Sequence, residues 1–140
     1  MGQQQLLLLV LGIVIVGLAV VVGIQAFGEN QKKANADALV NDAIRIASDA
    51  QAWKLKPKAF GGGGDLDDPI DFTGLQFVQL GYEVDAGVYS NLNGDFTLVA
   101  TATEVTITGI NVQNGNQVVV EVTGTKPADI ETTVSQYVES

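Results

Sequence analysis

Four aspartates lie close together in the chain, Asp65, Asp67, Asp68 and Asp71, directly after the run Gly61 to Gly64. Carboxylates at such spacing can offer oxygen ligands to Ca²⁺. The set lacks the EF-hand spacing and its bidentate glutamate, so a solvated acidic loop is the favoured reading and a calcium site the weaker one. The glycine run resembles a phosphate cradle in composition alone, because no Lys-Ser or Lys-Thr follows it and acidic residues come at once. The chain has no His and no Cys. The usual general base and the commonest nitrogen ligand for a metal are therefore missing. So are thiolate metal sites, disulfides and covalent haem attachment. Nothing pairs with the aspartates as nucleophile or base. No catalytic site, metal or organic cofactor is expected.

The elements around this loop carry more information. Sixteen Asp and Glu stand against seven Lys and Arg, a net charge of −9. That balance argues against a nucleic-acid surface, which needs Lys and Arg to neutralise phosphates. Lys32, Lys33, Arg45, Lys54, Lys56 and Lys58 lie between residues 32 and 58, with Lys126 alone beyond them. The part after Asp65 is acidic, so one half of a molecule can attract the other half of a neighbour.

From Leu6 to Gly23 the chain has no charge and no Asn, Gln, Ser or Thr, and Gly12, Gly17 and Gly23 punctuate it. Eighteen or more apolar residues suffice to cross a bilayer as a helix, the form in which a segment satisfies its own backbone in lipid. No basic residue precedes the run, as one would in a signal peptide, and residues 1–27 are expected to be retained as an apolar helix. Across 28–56 the pattern turns amphipathic. Ala36, Leu39, Val40, Ala43, Ile46, Ala47, Ala50 and Trp53 recur at three- and four-residue steps, opposite Asp37, Asn41, Asp42, Arg45, Ser48 and Asp49. With no proline between the two parts, one helix from about Gln4 to Leu55 is expected, on the order of 75 Å long. Leu39, Val40, Ala43, Ile46, Ala47, Ala50 and Trp53 form the stripe expected to pack on a sheet. Pro57 ends the helix.

Residues 57–140 read as a globular domain, with a Gly/Asp-rich loop over 59–76 and a sheet over 77–140. Alternation and turn signals place strands at Tyr82 to Tyr89, Asp95 to Ala102, Glu104 to Ile110 and Gln117 to Thr123. Asn114-Gly115 is the strongest hairpin signal. Ile130 to Val138 reads as a final strand or an extended tail. The fold class expected is α+β, a long N-terminal helix packed on a four-stranded antiparallel meander.

A helix apolar in its first half and amphipathic in its second, followed by a Gly-rich loop and a four-stranded meander, resembles the type IV pilins and the pseudopilins of type II secretion. The likeness covers nearly the whole chain in architecture; its specific motifs are confined to the first thirty or so residues. It implies processing by a prepilin peptidase, with Met1 as the processed and methylated residue. It also implies residence in the inner membrane before assembly, and then a helical filament of many copies at the cell surface, built by the pilus machinery. Assembly would fall to Gln5, Leu6, Leu9, Ile13, Gly17 and Gly23, with Ile13 to Gly23 able to unwind in the fibre. Gln5 stands where the family carries a glutamate, and Val22 where it carries a kinking proline. Such filaments serve adhesion, motility, DNA uptake or secretion. The other readings are a minor pilin or pseudopilin of a type II secretion system, and a single-pass anchored β-domain that binds a ligand.

Overall fold

The computed structural model describes residues 2–64 and 71–136. Its first element, α1, runs Gly2–Leu55, 54 residues without interruption. Packing divides the chain into two units, Met1–Ala34 and Asn35–Ser140.

In the first unit the described chain is α1 alone, and the large aliphatic side chains from Leu6 to Ile24 are each more than half exposed. The segment is long and apolar enough to cross a membrane. A helix of that makeup near an N-terminus serves as an anchor or as a signal.

In the second unit the rest of α1 meets a sheet. Five strands, Val88–Ser90 (β1), Asp95–Ala100 (β2), Val105–Asn111 (β3), Asn116–Val122 (β4) and Ile130–Gln136 (β5), lie in the order β1-β2-β3-β4-β5. Every neighbouring pair is antiparallel. The class is α+β as expected, with five strands in place of four. The fifth arises because Ile130–Gln136 pairs with β4 from Val122↔Ile130 to Asn116↔Gln136.

The first strand is shorter than its alternation suggested. Ala86 and Gly87 both take positive φ, 50° and 83°. Asp85 and Val88 exchange both backbone hydrogen bonds around them. This tight turn cuts Tyr82 to Tyr89 in two and leaves strand geometry to Val88–Ser90 alone. The stretch expected to open the sheet at Phe77 is instead a 3-10 turn, Phe77–Leu80. The Gly/Asp-rich loop contributes Phe72 and Leu75 to the core, both buried.

That core forms where the helix stripe meets one face of the sheet. Leu39, Ala43, Ile46, Ala47 and Ala50 are buried against Phe96, Val105, Ile107, Val118, Val120 and Val122. The three alanines let the helix backbone lie close to the strands. Gly109 faces Phe96 across β2 and β3. A Cβ at Gly109 would stand 2.6 Å from the Phe96 ring, so the aromatic fills the space that glycine leaves. Alternate residues of β4 are buried on the helix side, whereas β5 is exposed from Glu131 to Gln136. The helix covers the sheet as far as β4.

Candidate functional site

Of the four aspartates, Asp65, Asp67 and Asp68 lie outside the described residues. Asp71 accepts the Thr73 backbone N–H at 2.9 Å. Hydrogen bonding from Thr73 holds its carboxyl below the usual aspartate value. No group of three or more potential metal ligands occurs among the described residues.

The glycine run has a different task from a phosphate cradle. The N–H groups of Gly61, Gly62, Gly63 and Gly64 donate to the carbonyls of Lys58, Pro57, Trp53 and Lys56. The run thus folds back over the end of α1, capping the Trp53 carbonyl of the last turn and those of Lys56, Pro57 and Lys58 just beyond it. None of these four donors points outward to an anion. Gly61 has φ 85°. Cβ atoms at Gly62 and Gly63 would lie 2.1 Å from the Lys56 carbonyl oxygen and 2.2 Å from the Trp53 ring. Beneath this cap Lys54, 3% exposed, donates its ammonium to the Gly63 carbonyl at 3.1 Å. A buried cation beside the carbonyl ends of a helix is favourably placed. The Trp53 Nε1 atom is buried without a hydrogen-bond partner among the described residues.

Leu39, Ala43, Ile46, Ala47 and Ala50 are buried in the helix–sheet interface, and Val40 and Trp53 pack on its margin. Two polar residues share this surface, Lys54 and Gln51. Their positions extend the apolar stripe, and a polar residue at a core step is the signal by which a sequence reading could have found them.

At the opposite end of the same stretch, two hairpin tips are tied to the helix by amides. The Asn93 carbonyl accepts from Asn35 Nδ2 at 2.9 Å and from Asn111 Nδ2 at 2.7 Å. Asn116 Nδ2 donates to Asn35 Oδ1 at 3.0 Å. Asp42 Oδ2 accepts from Asn91 Nδ2 at 3.0 Å and Asn93 Nδ2 at 2.7 Å. Asparagines in turns announce turns, and nothing in their spacing announces that they meet one another. Midway along, the Tyr82 hydroxyl donates to Asp49. Burial first, and then this bond, push the phenol pKa well above its ordinary value.

In the apolar unit, Gln5, Leu6, Leu9, Ile13, Gly17 and Gly23 are all exposed, and Met1 lies outside the described residues. Cβ atoms at Gly12, Gly17 and Gly23 would meet nothing. Gly12 and Gly17 leave a shallow apolar hollow between Leu8, Leu9, Ile13 and Val16. The surface can exchange water for hydrocarbon or for other aliphatic side chains, and it carries no group for chemistry. Compared with known proteins, the chain matches no family model, no curated protein and no solved structure.

Proposed function

We propose that the chain is the structural subunit of an extracellular filament of the type IV pilus kind, assembled through its hydrophobic N-terminal helix. The observation that carries this reading is a single helix, Gly2–Leu55, whose first part is apolar and exposed on all sides while its later part is built into the sheet. In lipid the exposed aliphatic surface holds the subunit before assembly. In the filament the same surface is shared among copies, and burying it is worth about 25 cal/mol per Å². The even distribution of exposed aliphatics around the helix suits a bundle core, where neighbours approach from several directions. Membrane residence, processing by a peptidase and display at the cell surface follow from this assembly route.

The continuity of α1 supports a subunit over an anchored binding domain on a flexible tether, since no irregular stretch separates the apolar residues from those packed on the sheet. Purified full-length protein, freed of detergent and viewed by electron microscopy, is expected to form thin fibres. A monomer that stays in detergent and yields no fibres would overturn the proposal.

A further inference from the structure

We propose that Asn114 is a site of spontaneous deamidation, and that Asn93, the other asparagine followed by glycine, is shielded from the same reaction by Asp42. The two dipeptides, Asn93-Gly94 and Asn114-Gly115, have the same covalent chemistry. The backbone nitrogen of the glycine attacks the asparagine Cγ, and a five-membered succinimide closes. The Cγ–Nδ2 bond breaks and ammonia leaves, taking up the proton lost from the glycine nitrogen. Water then opens the ring at either carbonyl and leaves aspartate or isoaspartate.

The fold separates the two sites. Asn93 Nδ2 is held by Asp42 Oδ2 at 2.7 Å, and the Asn93 carbonyl accepts from Asn35 and Asn111. Gly94 is wedged as well: a Cβ there would be 2.4 Å from the Ile110 carbonyl oxygen and 2.9 Å from Leu39. The nucleophile is engaged too, the Gly94 N–H donating to Asn91 Oδ1 at 3.1 Å. At the β3–β4 tip the situation reverses. The Asn114 side chain has no hydrogen-bond partner among the described residues, although its backbone N–H reaches Asn111 Oδ1 at 2.9 Å. Gly115, at φ 70°, has nothing within 4 Å of where a Cβ would stand. Its N–H donates to the Asn111 carbonyl at 2.8 Å, the one hydrogen bond of the nucleophile among the described residues. The product places a new negative charge on the tip, and the isoaspartate route also lengthens the turn backbone by one methylene.

The test is peptide mapping of the full-length protein in detergent, aged in mildly alkaline buffer, with the one-dalton gain and the isoaspartate isomer read at each site. In the folded chain Asn93 is expected to react about tenfold more slowly than Asn114 or slower still, the factor given by one hydrogen bond to a charged group. In urea the two rates are expected to converge, which makes the comparison independent of any variant's folding. Asn114→Gln is expected to abolish the early modification. Asp42→Asn is expected to speed reaction at Asn93 and leave Asn114 unchanged. An unmodified Asn114, Asn93 reacting as fast in the folded chain, or a rate gap that persists in urea would each overturn the proposal.

Discussion

The side-chain amide of Gln51, on the helix, donates to the backbone carbonyl of Gly124 at 3.0 Å. The same nitrogen reaches the Lys126 carbonyl at 2.8 Å. One buried amide therefore fixes the connection between β4 and β5, which turns through Pro127–Asp129. Gln51→Leu keeps the bulk but leaves the Gly124 carbonyl without its donor, while the Lys126 carbonyl keeps the Asp129 N–H at 3.0 Å. The expected loss is about 1–3 kcal/mol. Urea unfolding of the full-length protein, followed by Trp53 fluorescence, measures it.

Gly63→Ala tests the cap on the end of α1. The added methyl meets the Trp53 ring at 2.2 Å, and either the ring or the glycine run must move. A destabilisation of about 1–3 kcal/mol is expected, with a shifted Trp53 emission maximum as the local signature. Gly28→Ala, with nothing near its Cβ position, serves as the control and should match or exceed the wild type.

How much of this was legible beforehand differs from element to element. The stripe Leu39, Ala43, Ile46, Ala47 and Ala50 is buried as its period required, because a helix has one way of turning those side chains to a single side. The Asn114-Gly115 hairpin is present for the same local reason. The break after Tyr82 was not legible. Ala86 at positive φ contradicts its own preference, and the paired backbone hydrogen bonds between Asp85 and Val88 hold it there. The task of Gly61 to Gly64 was equally hidden, since it depends on where the carbonyls of Trp53, Lys56 and Pro57 end up in space. Nor could the meeting of Asn35, Asn93 and Asn116 be read from a chain in which 58 and 81 residues separate the bonded pairs.

Ala86 supplies a prediction of the opposite sign. An L-residue at φ 50° is strained, and asparagine tolerates that region. Ala86→Asn is expected to stabilise the domain by about 0.5–1 kcal/mol. A rise in the thermal midpoint, with unchanged circular dichroism, is the measurement.

Ala47→Asp puts a carboxylate into the helix–sheet interface at a site that is 0% exposed. Burying an unpaired charge is among the few single changes that cost about 4 kcal/mol or more. Against a total stability of about 5–15 kcal/mol, this should leave the β-domain largely unfolded. Rapid proteolysis of residues 57–136, with residues 2–27 protected by detergent, is the expected pattern.

Acid stability is expected to carry a mark of Asp71. Its carboxyl titrates below the usual aspartate value because Thr73 hydrogen-bonds the charged form. The contribution is therefore complete above the unfolded value and fades as pH falls through the folded one. Asp71→Asn should flatten that part of the acid limb in a pH series of unfolding midpoints and change little at neutral pH.

The ties at Asn35 have one more consequence. Asn35 to Asn93, Asn116 to Asn35 and Asn111 to Asn93 join amide to amide or amide to carbonyl. None of these groups ionises, and mobile ions screen charges rather than neutral donors and acceptors. Where the helix enters the β-domain, these three bonds are the same in dilute water and in brine, beside the Asp42 carboxylate bonds to Asn91 and Asn93, in a protein of net charge −9.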